Sequence, residues 1–232
     1  MYSISVDGIR NDNKKIHVIK RPSIPMAERN IEFKDIPGRN GSLTRDLGTY
    51  KDLEFSVEFN FLEDNSAEWM KHYREIKNWV STFGGKKLKL SDDPNFFYKI
   101  KTAKISTSER VSRLFGKITI DFRTEPFTYV EGSDLFVTAE NKIYNPYYYA
   151  EPVYKIKGEG LCTLNVNGNV MKANVGQEII IDIERRLAYR NSTMQNISVT
   201  GNYDKMRLQT GVNTISVTSG FELLIKTNLR SL

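Results

Sequence analysis

Residues 53–61 alternate strictly between apolar and polar side chains, and this pattern constrains the fold more than any other stretch of the chain. The apolar members are Leu53, Phe55, Val57, Phe59 and Phe61. In a strand, alternate side chains point to opposite faces, whereas in a helix these five would be spread around the whole circumference. The stretch therefore predicts a half-buried strand with one face on a core.

The segment before this strand predicts an extended chain and a turn. Pro22 and Pro25 fix a non-helical backbone that runs through about Lys34, with Ile31 and Phe33 spaced along it. The turn is predicted at Pro37-Gly38-Arg39-Asn40-Gly41. A segment of this kind cannot easily bury its own apolar residues. Two interpretations stay open from the residues alone: a surface loop, which is the commoner case, or an arm laid on another subunit.

One amphipathic helix is predicted over residues 65–83. Its apolar stripe recurs at spacings of three and four and consists of Trp69, Tyr73, Ile76, Val80 and Phe83. Asn65 can cap the first turn with Glu68 three residues on, and Gly84-Gly85 predict the stop. We expect the helix to pack across the sheet that contains residues 53–61.

Further strands complete a first domain of α+β type over residues 1–133. They are predicted at Tyr2–Val6, Ile16–Ile19, Lys86–Leu90, Phe96–Ile105 and Leu114–Phe122. Glu125-Pro126-Phe127 breaks the last pattern, and Glu131-Gly132-Ser133 predicts a domain boundary.

Residues 134–232 predict a second domain without helices. Seven short apolar runs recur about every 8–12 residues, which is typical of a β-sandwich or barrel. They are Val153–Ile156, Leu161–Val166, Val170–Ala173, Ile179–Ile183, Ile197–Val199, Val212–Val217 and Phe221–Ile225. Asn167-Gly168 is the strongest hairpin signal in the chain. The expected fold class is mainly β, with a β-sandwich as the second domain.

No pattern in the chain predicts catalysis, a metal site or a cofactor. The sequence contains neither a Gly-x-Ser-x-Gly nucleophile motif nor a glycine-rich phosphate loop before a helix. Cys162 is the only cysteine and lies in an apolar run, which favours a buried side chain over a nucleophile. His17 and His72 are isolated and lack the paired spacing of metal ligands. We therefore predict a protein that is not an enzyme.

Charge and hydropathy limit the remaining partners. The formal net charge of +6 invites a nucleic-acid interpretation, but charges of both signs are spread evenly along the chain. No apolar run approaches the roughly 20 residues of a membrane span, and the N-terminus has no signal-peptide layout. We expect a soluble protein made in a cytoplasm, without membrane contact.

Tyr147, Tyr148 and Tyr149 form the most conspicuous aromatic cluster. Clustered aromatic rings serve sugar binding, nucleic-acid stacking and protein interfaces, and they also cover ordinary linkers and sheet edges. A carbohydrate-binding adhesin that recognises host cell-wall sugars through these tyrosines is therefore the alternative function.

The order of motifs resembles the distal tail protein family of bacteriophages with long, non-contractile tails. In the first half the motifs are Asp7-Gly8, the proline-bearing segment, residues 36–41, Tyr50 before the alternating strand, the Trp-containing helix, Leu88–Asp92 and Glu125–Tyr129. In the second half they are Pro152–Gly158, Asn165–Gly168, Ile181–Ile183, Ala188-Tyr189, Asn191 and Leu208–Ile215.

The resemblance implies a structural hub of the siphophage virion. The family forms a hexameric ring that joins the tail tube to the tail tip or baseplate around a DNA channel, with a galectin-like or carbohydrate-module-like second domain. The implied partners are further copies of the chain, the tail tube, tape measure, and tip or receptor-binding proteins, assembled in the bacterial host cytoplasm. Tight nucleic-acid binding is not implied. The belt that reaches the next subunit would comprise Pro22, Pro25, Ile31, Phe33, Pro37, Gly38, Arg39 and Gly41.

Overall fold

The computed structural model describes residues 2–232, which fall into two compact units. The first unit ends at Thr128 and also includes Leu232, and the second runs from Tyr129 to Ser231. The expectation of two independent domains divided after residue 133 stays a prediction. Antiparallel sheets dominate both units, which confirms the mainly β fold class.

The first unit is built on one antiparallel sheet with the strand order β2-β1-β7-β8-β9-β6-β3. A separate two-stranded sheet is formed by β4 and β5, and one helix, α1, packs on the larger sheet. The elements are β1 Ile4–Val6, β2 Ile9–Arg10, a 3-10 turn at Asn11–Lys14, β3 His17–Val18, β4 Arg29–Lys34, β5 Leu43–Tyr50, β6 Leu53–Leu62, α1 Ser66–Val80, β7 Lys87–Leu90, β8 Asp93–Arg110 and β9 Phe115–Val130.

The alternating stretch forms β6, as predicted, and its apolar side chains are buried against α1. Opposite partners in β9 continue the same face: Phe55 lies opposite Phe122, and Phe59 lies opposite Ile118. The rings of Phe55 and Phe122 stack with centroids 5.7 Å apart. Each such side chain contributes about 1.5–3 kcal/mol by leaving water, so this face stabilises the unit.

Helix α1 begins where the sequence predicts and ends earlier. The Asn65 side chain accepts hydrogen bonds from the N–H groups of Ala67 and Glu68, both at 3.0 Å. The helix ends at Val80, so the predicted extension to residue 83 is wrong. Phe83 is still fully buried. Beyond the helix, the N–H groups of Thr82 and Phe83 donate to the carbonyls of Trp79 and Val80, and these two tight turns bring the Phe83 side chain back to the core. The glycine with positive φ is Gly85, five residues beyond the helix end.

Strands β8 and β9 are longer than the sequence predicts. β9 runs through Pro126 to Val130, so the break predicted at Glu125-Pro126-Phe127 is wrong. Thr124 is the last residue of β9 that pairs with β6. Pro126 lies two residues beyond it, and its missing N–H therefore removes no hydrogen bond from that ladder.

β5 has no counterpart in the sequence prediction, which placed a turn directly before the long strand. Its residues are nearly all exposed, so no apolar alternation marks it. Periodicity in a sequence reports a buried face, and a strand without such a face leaves no period.

The second unit is a β-fold around its own core. One run of pairing follows the order β10-β18-β12-β13-β14-β15, β17 joins β11 to β12, and β16 pairs with β13. The elements are β10 Val137–Thr138, β11 Lys142–Asn145, β12 Val153–Val166, β13 Asn169–Asp182, β14 Leu187–Arg190, β15 Thr193–Met194, a 3-10 turn at Asn196–Ser198, β16 Val199–Thr200, a 3-10 turn at Tyr203–Met206, β17 Gly211–Val217, β18 Glu222–Lys226 and β19 Arg230–Ser231.

The hairpin predicted at Asn167-Gly168 joins β12 and β13 and is confirmed. Both turn residues have positive φ, 52° and 80°, as a type I′ turn requires. Four of the predicted short strands are wrong as separate elements, because they merge into these two long strands. Gly158 and Gly160 lie between two of the predicted runs, inside β12, and pair with Gln177 and Val175 of β13. Ile197 lies in a 3-10 turn rather than in the predicted strand.

Candidate assembly surfaces

The hairpin formed by β4 and β5 is the main exposed feature of the first unit, and we call residues 29–50 the arm. Its strands pair in an antiparallel register from Arg29 opposite Tyr50 to Lys34 opposite Leu43. Every residue from 31 to 49 is exposed, and Tyr50 at the base of the arm packs against the core of the first unit. A two-stranded hairpin is marginally stable alone in water, and it needs packing on another surface for stability.

The arm has two unlike sides. Opposite residues of a pair share a side, which places Ile31 with Asp46 and Phe33 with Thr44. Phe33 is 69% exposed and Ile31 is 39% exposed. We call this the apolar side. The other side carries Leu43 and an ion pair between Arg45 and Glu32, with 3.7 Å between nitrogen and oxygen.

Local contacts hold the base of the arm. The Lys51 N–H donates to the carbonyl of Glu28 at 2.8 Å, and their side chains pair at 3.1 Å. The guanidinium of Arg29 lies 5.4 Å from the Tyr50 ring centroid and 2.9 Å from an Asp46 carboxylate oxygen. These contacts fix where the arm leaves the sheet.

Glycines shape the tip and the bulge of the arm. Gly38 and Gly41 have φ values of 82° and 78°, and the Arg39 N–H closes the tip turn by donating to the Ile36 carbonyl at 3.1 Å. Gly48, at φ 72°, lies in a bulge of β5, where its N–H donates to Asp46 at 2.8 Å. These three positions have the left-handed backbone that glycine adopts without steric cost.

The two prolines predicted to belong to the belt lie before the arm. Ile24, between the two prolines, packs against the core of the first unit. Ala27, two residues after Pro25, is buried. Met26 points away and is largely exposed. This segment therefore covers its own unit, and the exposed reach of the chain begins at Arg29.

A polar surface lies on the side of the sheet that faces away from α1. Asp52 pairs there with Lys101 at 2.5 Å and with Arg123 at 2.8 Å. Burial alone would raise the pKa of Asp52, but the hydrogen bonds and charges of Lys101 and Arg123 outweigh it and lower the pKa below its usual value. Two adjoining grooves of about 610 Å³ and 410 Å³ share the lining residues Glu54 and Arg123.

The tyrosine cluster is held by the second unit itself. All three rings are half-buried, and those of Tyr148 and Tyr149 lie 4.5 Å apart. The guanidinium groups of Arg207 and Arg230 lie 4.9 Å and 4.8 Å from the Tyr149 ring centroid. Both arginines bind the carboxylate of Glu151, at 2.7 Å and 2.9 Å. This placement favours packing over a ligand platform, and the role of the three tyrosines in ligand or partner binding stays a prediction.

The two histidines lie apart. His17 is exposed in β3, and its ring lies 3.7 Å from Asp12. His72 on α1 is almost buried; its Nε2 lies 2.7 Å from the carbonyl of Lys14, and its Nδ1 faces the Glu63 carboxylate. The contact with Lys14 ties the 3-10 turn to the helix, and the sequence gives no sign of it because the two residues are 58 positions apart. Within residues 2–232 no three His, Cys, Asp or Glu side chains are grouped to hold a metal ion.

Comparison with known proteins decides the family. The family described as phage tail protein RIFT-related domain matches residues 10–124, which include the arm, β6 and α1. Residues 10–124 belong to this family of phage tail proteins. The resemblance seen in the order of motifs is thereby confirmed. Among curated protein sequences, none matches the chain.

Solved structures show the same fold for this phage tail protein. It is similar to the Dit protein of phage SPP1, described as a paradigm of the hub adsorption apparatus of phages that infect Gram-positive bacteria. The TM-score is 0.66 at 13% identity, covering 100% of this chain and 98% of that one. A chain of the phage P2 baseplate in its activated conformation follows, with a TM-score of 0.51, 10% identity, and coverage of 100% and 98%.

The family and the fold are those of structural components of the siphophage tail. Proteins of this kind are part of the virion and act by assembly with other tail proteins. In the described part of the chain, none of the helices has the length and apolar character needed to cross a bilayer. The surfaces described above are therefore best considered as contacts for assembly.

Proposed function

We propose that this phage tail protein forms a hexameric ring, the hub that connects the tail tube to the tail tip or baseplate of the virion. The observation that carries the proposal is the arm: an exposed hairpin whose apolar side is uncovered in the single chain. Exposed apolar surface of this kind marks a protein contact. In a ring, the arm acts as a belt on the neighbouring copy.

The edges of the main sheet support the same arrangement. At one edge of the sheet, β3 has two residues and pairs only with Phe59 and Asn60, so within the described residues most of the ten-residue β6 has no strand beside it on that side. Open sheet edges are liable to pair with other chains, and closure of copies into a ring removes them.

Passage of DNA through the ring requires weak contacts with the phosphate backbone, because each phosphate contact adds salt-dependent affinity. On the polar side of the sheet, the carboxylate of Asp52 pairs with two of the cations, Lys101 and Arg123. We therefore expect no tight nucleic-acid binding despite the net charge of +6.

The ring would contact the tail tube and tape measure proteins on one side and tip or receptor-binding proteins on the other. We place it at the tail tip of the virion, after assembly in the cytoplasm of the bacterial host.

Mass photometry and negative-stain microscopy of the purified chain over a concentration series test the proposal. We expect a six-copy particle with a central opening. Replacement of Ile31 and Phe33 by Ser should shift the population to monomers, while the thermal unfolding of the first unit stays unchanged because both residues lie outside the core.

Ile197→Ser is the matched control. Ile197 is 97% exposed and lies in the second unit, so its loss removes an exposed apolar side chain without touching the arm. Assembly of this variant should equal that of the unmodified chain. A chain that stays monomeric at every concentration, or a six-copy ring that is insensitive to the arm substitutions, contradicts the proposal.

A further inference from the structure

The apolar side of the arm ends in a negative charge. Ile31 and Phe33 lie on this side, and Asp35 follows two residues later, beyond the end of β4. All three residues are exposed, and none touches the core of its own unit. The arm therefore offers an apolar strip with an acidic group at its outer end.

A second exposed apolar site lies at the far end of β6. Leu62 lies directly opposite Phe115 of β9, so the two side chains share a face. The neighbouring Phe61 is buried towards α1, which places Leu62 on the opposite face, where it is 66% exposed. An isolated apolar side chain on a surface is ordinary, but a cross-strand pair forms a small continuous surface.

Basic side chains border this second site. Lys117 lies two residues beyond Phe115 along β9, opposite Asn60, and therefore on the same face. Arg113 lies in the turn between β8 and β9, two residues before Phe115. In the described part of the chain, neither Lys117 nor Arg113 has an ion-pair partner within 4.0 Å, and both are exposed. The site is apolar with a basic border, which complements the apolar and acidic strip of the arm.

The two sites lie at opposite ends of one strand. The arm joins β6 at its first residue, Leu53, and the second site begins at its last residue, Leu62. A ten-residue strand spans about 30 Å, so the two sites of one unit are well separated. Complementary sites at opposite ends of a unit make a head-to-tail contact between copies, and such contacts close into a ring when the rotation allows it.

We propose that the apolar side of the arm, Ile31 and Phe33, packs on Leu62 and Phe115 of the next copy, with Asp35 facing Arg113 and Lys117. This inference rests on the proposed ring and names the surface that receives each arm. Every copy then donates one arm and accepts one, so all copies make equal contacts.

Disulfide trapping in the full chain tests the contact. Phe33→Cys combined with Leu62→Cys should give a ladder of covalent oligomers under mild oxidation, since a disulfide forms only when the Cα atoms lie within about 7 Å. Each single substitution should give no ladder, because Cys162 is buried. Arg45→Cys with Leu62→Cys is the matched control, because Arg45 lies on the other side of the arm.

Charge exchange provides an independent measurement. Asp35→Lys should raise the concentration needed for half-assembly by about three- to tenfold, the range for exposed charge pairs repeated at each contact. Adding Arg113→Asp and Lys117→Asp to the same chain should restore assembly. The three positions are exposed, so each substitution should change the unfolding temperature by no more than about 2 °C.

The outcomes separate this inference from the proposed ring. Six-copy rings without a Phe33→Cys and Leu62→Cys ladder, or without rescue by the charge exchange, overturn the arm contact and leave the ring standing. A chain that is monomeric throughout overturns both.

Discussion

Gly116 is a position where a single added methyl group should disturb the core of the first unit. It lies in β9 directly opposite Phe61 of β6. A Cβ atom there would lie 2.7 Å from Phe61 Cζ and 2.8 Å from Trp69 Nε1, closer than real Cβ contacts come. Both rings are buried, with centroids 5.3 Å apart, so neither can move without disturbing the core. Gly116→Ala therefore forces a rearrangement between the sheet and α1.

The magnitude follows from packing and from the size of the unit. Overpacking of a core costs about 1–3 kcal/mol. Loss of glycine from a strand returns roughly 0.5–1 kcal/mol, so the net free energy of unfolding should fall by about 1–2 kcal/mol. A unit that ends at Thr128 has an unfolding entropy of roughly 270 cal/mol/K, so each kcal/mol lowers Tm by about 4 °C.

Differential scanning calorimetry of the full chain measures this effect, and Gly84→Ala is the matched control. A Cβ at Gly84 would lie 3.5 Å from a carbonyl oxygen of Lys101, an ordinary contact, so its Tm should stay near that of the unmodified chain. Phe61→Leu in the Gly116→Ala background should cost less than Phe61→Leu alone, because the smaller side chain makes room for the methyl group. A Tm for Gly116→Ala within about 1 °C of the unmodified chain would refute the packing argument.

Three further changes test other contacts. Asn65→Ala removes the side chain that accepts two N–H groups of the first turn of α1, and chemical denaturation should show a loss of about 1 kcal/mol. Tyr154→Phe should lower the free energy of unfolding by about 1 kcal/mol, because the buried hydroxyl donates to the Met206 carbonyl at 2.9 Å. In the unmodified chain burial raises the pKa of Tyr154, so the absorbance of its phenolate at alkaline pH should appear only on unfolding. Asp52→Asn should change how the free energy of unfolding depends on pH in the acid range. The pKa of Asp52 is lowered in the folded state, so its pairing with Lys101 and Arg123 stabilises the fold above about pH 4. This stabilisation is lost as the pH falls further. If Asp52→Asn lowers the free energy of unfolding by the same amount at pH 3 as at pH 7, this last expectation is contradicted.

Sequence reasoning succeeded where a local pattern reports burial or a special backbone conformation. The alternation in β6, the cap at Asn65 and the turn at Asn167-Gly168 all appear where the residues predict them. Asn213 shows a limit of the same reasoning. It is fully buried; its Oδ1 accepts a hydrogen bond from the Gln209 N–H, and its Nδ2 donates one to the Gln209 carbonyl, both at 2.8 Å. Its place in the Leu208–Ile215 motif therefore has a structural cause that no local pattern discloses.

The candidate surfaces were only partly predictable. Ile31 and Phe33 stand out as apolar residues in an extended segment, but the strand opposite them, β5, has no periodicity and was missed. Tyr149 is conspicuous in the sequence, but the guanidinium groups that contact its ring belong to Arg207 and Arg230, about 60 and 80 positions further along the chain. Contacts of that range depend on the path of the whole chain.

The sequence by itself determined which stretches bury a face, where the helix begins, and that the chain carries the motif order of a phage tail protein, because these features are encoded over a few neighbouring residues. Only the tertiary structure decided that an uncovered hairpin leaves the sheet beside Leu53 and that Gly116 lies beneath two aromatic rings. It also decided that apolar and basic side chains lie together at the other end of β6, around Leu62. These features arise from strands paired across long stretches of the chain. Strand pairing of this kind brings together residues that are distant in the chain, so no local pattern in the sequence predicts their contact.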